Sequence, residues 1–354
     1  MFTFIDLFAG IGGIRFAFES VNGKCVFASE YDQNAQKTYQ VFFTNAPDFS
    51  EFTPPLDINP SGDIMQFPPE RVPDHDILTG GFPCQPFSLA GVSKKQSLGN
   101  PHGLDDPTQG TLFFKIKEII KAKRPKAFML ENVKNLLSHD EKRTFTIIKD
   151  VLERELKYKI FWRIIDAVGW LPQHRERVYI LGFQTFDGDT RWEGDSFDEF
   201  MQLVPPPKRI VTLDQILEKY VPARYTLGEK TWDTLIRHKK HHESIGQGFG
   251  YGLISPPFAE RVTRTLCARY YKDGAEILIE QAGRRPRRLT PLECCKLMGF
   301  PERVWKYYEH SGTADQPVSD TEAYHQFGNS VAVPVVTAVA TVLINKLKEK
   351  GYLR

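Results

Sequence analysis

The chain has 354 residues, of which 41% are hydrophobic and 25% charged, a balance typical of a globular protein with two domains. Five cysteines without regular spacing exclude a disulfide framework and predict a reducing compartment, and no cysteine–histidine cluster has the spacing of a zinc site. The net charge is only +2, and no run reaches the roughly 18 apolar residues that a membrane span needs, so we expect a cytoplasmic protein.

The chain begins with a strand, a glycine turn and a helix. Residues 3–8 are mostly apolar, and the turn Ala9-Gly10-Ile11-Gly12-Gly13 follows them directly. Such a turn lets a ligand approach the backbone closely, as in nucleotide-binding βαβ units. The next strands would deliver Glu30 and Asp63-Ile64 to the same edge, where carboxylates bind ribose hydroxyls. Carboxylates without a phosphate-binding lysine suit a nucleoside that carries no phosphates.

One cysteine lies in a turn-rich segment, residues 80–91, that follows an apolar strand. The glycines and prolines of this segment would hold Cys84 at the carboxyl end of the strand, the side on which open α/β sheets bind ligands. A thiol acts as a nucleophile in its thiolate form, which nearby positive charge or backbone dipoles stabilise. Cys84 is therefore a candidate nucleophile, and the alternative is a buried structural cysteine.

Two further strands carry charged side chains towards the same edge of the predicted sheet. The apolar strand over residues 126–130 leads to Glu131. Arg175 and Arg177 precede an apolar run, and residues two apart on a strand point to the same side. We therefore expect Glu131 and both arginines at one site, and the alternative for Glu131 is a solvated loop residue.

A local excess of positive charge marks residues 261–288. This window carries seven arginines and one lysine against three acidic residues, Asp273, Glu276 and Glu280. In a nearly neutral chain, such an excess predicts an anionic partner at one face. The alternative is an ordinary solvated surface.

The pattern of the chain also predicts its domains. From about residue 186 turn residues multiply and periodicity fades, which indicates a second, irregular domain extending to residue 324. Thr290 and Pro291 predict a helix start within it. The apolar helix that ends near Lys350 needs a core to cover, so we expect residues 325–354 to return to the domain formed by residues 1–185.

Five blocks of the sequence resemble the motifs of the DNA (cytosine-5)-methyltransferases, in the order of that family and over nearly the whole chain. They are Phe4-Ile5-Asp6-Leu7-Phe8-Ala9-Gly10-Ile11-Gly12-Gly13, Gly81-Phe82-Pro83-Cys84-Gln85, Glu131-Asn132-Val133, Gln173-x-Arg175-x-Arg177 and Gln326-Phe327-Gly328-Asn329-Ser330. The resemblance implies an α/β fold, with a Rossmann-like S-adenosylmethionine-dependent methyltransferase sheet and a smaller, irregular target-recognition domain. It also implies methyl transfer to C5 of a cytosine in a specific duplex DNA sequence.

The resemblance further implies the residues that act. S-adenosyl-L-methionine would be held by Phe8, Gly10, Gly12, Gly13, Glu30, Asp63, Ile64, Pro83, Leu112, Asn329 and Ser330. The catalytic residues would be Cys84, Glu131, Arg175 and Arg177. The expected DNA-binding residues are Gln85, Ser88, Arg261, Arg264, Thr265 and Arg269, of which the three arginines are chosen for the basic and aromatic interleaving of residues 246–288.

The implied chemistry assigns a task to each catalytic group. Cys84 would add to C6 of a flipped-out cytosine, Glu131 would supply a proton at N3, and Arg175 would orient O2. Glu131 can hold that proton at neutral pH if burial raises its pKa, so we expect it to be desolvated. Residues 92–110 would close over the base.

The likeness is strongest to bacterial or phage modification enzymes, and more loosely to those that methylate CC-GG-type sites. It implies a monomer that acts on double-stranded DNA, with a cognate restriction endonuclease as a candidate partner.

Three alternatives stand beside this interpretation. A tRNA cytosine methyltransferase would share the catalytic blocks, but the Cys-Phe-Thr motif of that subfamily is absent from this sequence. A catalytically silent DNA-binding paralogue would tend to lack the cysteine or the cofactor turn, and both are present. A nicotinamide oxidoreductase is disfavoured because Arg15 stands where the third glycine of its fingerprint would be.

Overall fold

The computed structural model of the protein describes residues 1–44, 62–82, 112–186, 191–192, 209, 211–246, 250–309 and 316–354. Four predicted site residues, Pro83, Cys84, Gln85 and Ser88, lie outside the described residues, as does the predicted closing segment 92–110.

A six-stranded sheet forms the centre of the fold. Its strands are β1 Phe2–Leu7, β2 Gly23–Ser29, β3 Ile77–Gly81, β4 Ala127–Val133, β5 Tyr158–Asp166 and β6 Glu176–Gln184. The order across the sheet is β2-β1-β3-β4-β6-β5, in which β1 to β4 run parallel and β6 runs antiparallel to both β4 and β5. The strand order reverses at β1, and open α/β sheets bind ligands beside such a reversal, at the carboxyl ends of the strands.

Ten α-helices fall within the described part of the chain. They are α1 Gly13–Ser20, α2 Gln33–Thr44, α3 Leu112–Lys123, α4 Arg143–Asp150, α5 Leu213–Ile216, α6 Glu229–Ser244, α7 Pro291–Leu297, α8 Glu302–Trp305, α9 Asp320–Asn329 and α10 Val333–Glu349.

Both faces of the central sheet are buried, which explains the nearly continuous apolar runs of its strands. Phe4 of β1 faces a core that includes the apolar side chains of α1 and α10. The next residue, Ile5, faces a second core that includes those of α3 and α4. The final helix α10 packs against α1, as expected of an apolar helix that covers a core, and its assignment to the first domain stays a prediction.

Two predicted elements have different bounds in the structure. The sequence pattern of residues 140–156 predicts a helix from Asp140, but α4 begins only at Arg143, because residues 140, 141 and 142 have φ values of 49°, 53° and 72°. Left-handed backbone of this kind cannot continue a right-handed helix. The strand expected to end at Leu130 continues to Val133, because β6 pairs with β4 up to that residue. Glu131 therefore lies within a strand and not beyond its end.

The second part of the chain forms a small sheet of β7 Leu253–Ile254, β8 Leu278–Gln281 and β9 Arg284–Arg287. The predicted helix start is confirmed, since the Thr290 hydroxyl accepts from the backbone N–H of Glu293 at the first turn of α7. After α7, the Phe300 ring packs 5.7 Å from that of Phe16 in the first domain. The division at residues 186 and 325 stays a prediction.

One run of the chain, Asp320–Glu349, is long and apolar enough to span a membrane by length and composition, with a mean hydropathy of 1.9. The expectation that no stretch would pass this test was therefore wrong. Of the apolar 18-residue window in this run, 72% is buried inside the protein, as expected for a core helix that covers a sheet.

Candidate active site

A cavity of about 730 Å³ opens at the carboxyl ends of the parallel strands, next to the reversal in strand order. Nine of the predicted cofactor residues line it: Phe8, Gly10, Gly13, Glu30, Asp63, Ile64, Leu112, Asn329 and Ser330. Glu131 and Arg177, two of the predicted catalytic residues, line the same cavity. Folding thus brings the N-terminal glycine turn, the centre of the sheet and the end of α9 to one site.

The glycine turn has one residue open to the cavity and two that are closely packed. A Cβ atom on Gly10 would meet nothing within 4 Å, although φ is +54° there. A Cβ on Gly12, where φ is +83°, would lie 2.2 Å from the Phe43 ring, and one on Gly13 would lie 2.8 Å from the Ser330 hydroxyl. Gly10 therefore offers its backbone to a ligand, whereas Gly12 does not line the cavity and is needed for packing against α2.

Carboxylates lie on one side of the cavity. Glu30 accepts hydrogen bonds from the backbone N–H groups of Gly10 at 2.7 Å and Asp32 at 2.8 Å, so its orientation is fixed by the turn. Burial raises the pKa of Glu30. Asp63 accepts from the N–H of Met65 at 2.9 Å and begins a short 3₁₀ turn. Both carboxylates are thus positioned by local backbone before any ligand arrives.

Tyr31 is a cavity residue that the sequence analysis does not single out. It is 70% exposed although it is a large aromatic side chain, and it follows Glu30 directly. A lone aromatic residue after a strand has no periodic signal, and only its place beside Glu30 points to the site.

The Glu131 carboxyl lies deep in the cavity and is only 8% exposed. Its Oε1 lies 3.1 Å from Nε of Arg177. Burial raises the pKa of Glu131 and outweighs the opposing positive charges of Arg177 and Arg175. The prediction that Glu131 is desolvated and holds its proton more tightly than an ordinary glutamate is confirmed in direction.

Glu131 also marks where β3 leaves the sheet. It pairs in register with Gly81, and the side-chain amide of its neighbour Asn132 donates to the Phe82 carbonyl at 2.8 Å. The chain that continues towards Cys84 therefore departs from β3 directly beside Glu131.

Arg175 does not face the cavity, contrary to the sequence prediction that it points the same way as Arg177. Its guanidinium is buried and donates to the carbonyls of Leu266 at 2.8 Å and Gly328 at 2.9 Å, and also to that of Ser330. Residues two apart point to the same side only within a strand, and β6 begins at Glu176, after Arg175. Arg175 therefore links the second domain to the end of α9, and Arg177 is the arginine beside Glu131.

Replacing Arg175 by methionine should lower the free energy of unfolding by about 3–5 kcal/mol, because two buried carbonyls and a partly buried one would lose their donor. Urea denaturation followed by tryptophan fluorescence measures this loss. Arg177→Met is the matched control. It should lower the free energy of unfolding by less, because it leaves only the Glu131 carboxyl without its partner, and that carboxyl can take up a proton. Equal stability of the Arg175 variant and the wild type would contradict the assigned role.

The three predicted DNA-binding arginines lie in the second domain, and they differ in whether their side chains are held by hydrogen bonds. Arg261 Nε donates to the Ser255 carbonyl at 3.1 Å, and Arg264 donates to the carbonyl of Gly250. Arg269 is exposed. The Glu276 carboxylate accepts from the Cys267 thiol at 2.7 Å.

Two other contacts restrict the predicted basic face. The Thr265 hydroxyl donates to the His174 carbonyl at 2.6 Å, which places it at the seam between the two sheets. Arg287 is buried and forms a bidentate pair with Glu293, with N–O distances of 2.7 and 2.8 Å. Its charge is neutralised within the protein, so the basic window presents fewer free cations than the sequence suggests.

Comparison with known proteins agrees with this geometry. The family model of the C-5 cytosine-specific DNA methylases matches residues 2–345. The chain is 46% identical to a DNA-cytosine methyltransferase of Escherichia coli strain K12, with coverage of 100% of this chain and 79% of that protein. It is 45% identical to the type II methyltransferase M.SsoII of Shigella sonnei, with coverage of 98% and 81%.

A solved structure shares the fold at low sequence identity. The Entamoeba histolytica methyltransferase EhMeth superposes with a TM-score of 0.67 and 18% identity, covering 98% of this chain and 99% of that chain. This likeness supports the Rossmann-like α/β architecture predicted from the sequence. Together with the extent of the family match and the identity to the bacterial proteins, it leads to one assignment: the chain belongs to the C-5 cytosine-specific DNA methylase family.

Proposed function

We propose that this protein transfers a methyl group from S-adenosylmethionine to C5 of a cytosine in a specific sequence of duplex DNA. The observation that carries the proposal is the buried pair of Glu131 and Arg177 in the same cavity as the glycine turn. A carboxyl whose pKa is raised by burial and a guanidinium, side by side, suit the N3–C2–O2 edge of a cytosine. Family membership supports the same reaction.

The cavity fits a sulfonium nucleoside cofactor. Gly10 leaves open space above its backbone, and the carboxylates of Glu30 and Asp63 can accept from ribose hydroxyls and the adenine amine. No lysine is among the described residues that line the cavity, as expected for a ligand without phosphates. When bound, the cofactor supplies an electrophilic methyl group. The residues of this chain hold and orient it next to Glu131.

The chemistry on the base requires a nucleophile and an acid. Cys84, three residues beyond Gly81 in the sequence, is the proposed nucleophile that adds to C6. Protonation of N3 by Glu131 favours this addition, and the enamine that results carries the electron density at C5 that accepts the methyl group. A base then removes the C5 proton, the Cys84 thiolate leaves C6, and N3 returns its proton to Glu131. Arg177 takes the position at O2 that the sequence analysis gave to Arg175, and the target cytosine must be flipped out to reach these groups.

Bisulfite sequencing of DNA from cells that express the protein and lack other cytosine methyltransferases tests this function. Cytosines in one sequence context should resist conversion, and a strain expressing Cys84→Ser should show none. Resistant cytosines in cellular tRNA together with fully converted genomic DNA would favour the tRNA alternative and overturn the proposal.

Several partners and properties belong to the same proposal. The names of related type II methyltransferases support a role in restriction and modification, and thus a cognate endonuclease that cuts the same site. We place the protein in the cytoplasm as a monomer, and assign a CC-GG-type target from the resemblance of its second domain.

Sequence readout should depend on arginines of the second domain, since a bidentate arginine–guanine contact discriminates by about 1–3 kcal/mol. Alanine at Arg261, Arg264 or Arg269 should therefore relax site choice more than it weakens total DNA binding, as measured by sequencing of methylated random duplexes. Lys272→Ala, which removes an exposed cation nearby, is the control and should leave site choice unchanged. Uniform loss of affinity with unchanged site choice in all three variants would show that these arginines hold phosphates.

A further inference from the structure

Helix α6 carries a concentrated run of basic side chains that the reaction does not use. Residues 237–242 read Arg-His-Lys-Lys-His-His and include no acidic residue. Arg237, His238, Lys240 and His241 are exposed. We call these four residues the outward face of α6.

The opposite side of α6 packs against the small sheet. Leu235 is the buried residue of the helix and packs with Leu227 and Leu278. The Tyr251 ring lies between the Trp232 ring, at 4.8 Å, and the Lys239 ammonium, at 4.9 Å. Because one side is held by these contacts, the outward face is directed to solvent.

The helix lies beside the segment proposed to read DNA. A Cβ atom added to Gly250 would lie 3.1 Å from Cγ of Lys239, and the Gly250 carbonyl accepts from Arg264. Lys239 and Arg264 therefore contact the same glycine. The basic run of α6 thus continues the cationic surface that begins at Arg264.

The run is unfavourable for the isolated helix. Arg237 and Lys240 are three residues apart, and like charges at this spacing destabilise a helix. Within this run Lys239 has an acidic partner, the Glu243 carboxylate, at 3.8 Å. Lys239 is the lysine that contacts Tyr251, on the side of α6 that packs against the small sheet. Within the described part of the chain neither Arg237 nor Lys240 forms a salt bridge, although Asp233 stands four residues before Arg237, so a polyanion next to the pair would relieve the remaining repulsion.

We propose that the outward face of α6 binds backbone phosphates of the duplex next to the target site and carries no sequence information itself. This inference rests on the proposed action on duplex DNA. The face rises about 6 Å along the helix axis from Arg237 to His241, enough for contact with one or two phosphates. It would raise affinity and hold the duplex while Arg264 meets the bases.

The test is the salt dependence of binding to a duplex of about 40 base pairs that contains the target sequence. In Arg237→Gln/Lys240→Gln, the slope of log affinity against log salt should fall by about 1.8, since two phosphate contacts are lost. At physiological salt this corresponds to roughly 10- to 30-fold weaker binding. Site choice in methylation should not change.

Two controls keep the result specific. Arg237→Lys/Lys240→Arg conserves both charges and should behave as the wild type. Lys121→Gln/Arg154→Gln removes two exposed cations from helices of the first domain and should leave the slope unchanged.

An unchanged slope in the α6 variant would overturn the inference, and so would relaxed site choice, because the face would then read bases. An equal loss of slope in the first-domain control would also overturn it, since the effect would come from net charge alone. Failure of the wild type itself to bind or methylate duplex DNA would instead refute the proposed function.

Discussion

Replacing Cys84 by serine should abolish methyl transfer while cofactor binding persists. The serine hydroxyl does not ionise near neutral pH as a thiol can, so the nucleophile that adds to C6 would be lost. We expect a fall in turnover of at least roughly 10⁴-fold, comparable to the loss of other enzyme nucleophiles. Tritium transfer from labelled S-adenosylmethionine to duplex DNA measures it.

The cofactor affinity of Cys84→Ser shows whether the cysteine acts in the reaction or only in the structure. The cavity residues Gly10, Glu30 and Asp63 lie outside β3, the strand that precedes Cys84, so calorimetric titration with S-adenosylmethionine should give the wild-type dissociation constant. Glu30→Gln is the opposite control and should weaken cofactor binding. A parallel loss of cofactor affinity in Cys84→Ser would mean that the cysteine is structural.

Glu131→Gln should lower turnover by about 10²–10⁴-fold with little change in DNA affinity. The amide keeps the size of the carboxyl and can still donate a hydrogen bond, but it cannot transfer a proton to N3. Single-turnover methylation at saturating DNA gives the chemical rate. Asp166→Asn is a control, since that carboxylate holds the His174 ring and the Arg175 backbone and is not among the cavity residues. Turnover of the Glu131 variant within threefold of the wild type would exclude the acid role.

The raised pKa of Glu131 gives this prediction a pH signature. Because the proton is held more tightly in the folded protein than in the unfolded chain, protonated Glu131 stabilises the fold below the ordinary glutamate pKa of 4.5. That contribution disappears as pH rises through the folded value. The rate of methyl transfer should fall over the same upper range, since the acid form is lost. In Glu131→Gln, neither the free energy of unfolding nor the rate of methyl transfer should change with pH for this reason.

Local pattern was enough to predict the elements that carry the site. A strand followed by Gly10 and Gly12 predicts a tight turn, because these positions adopt positive φ values of 54° and 83°. Glu30 could be placed at a strand end for the same reason, since strand and turn residues differ within a few positions. The strands expected over residues 3–8 and 126–130 likewise followed from apolar runs of this kind, and they correspond to β1 and β4.

Tertiary structure alone decided which charged groups are available for chemistry. Arg175 and Arg177 look equivalent in the sequence, yet the first donates to carbonyls 91 and 153 residues away, and the second lies beside Glu131. Arg287 looks like part of a basic surface, but Glu293 pairs with it in the interior. The conformation of a strand is encoded by near neighbours in the sequence, whereas the partner of a long charged side chain is set by which distant segments pack around it. The sequence by itself therefore determined the family, the sheet and the turn of this protein, and only the fold determined that Arg177, and not Arg175, lies beside Glu131.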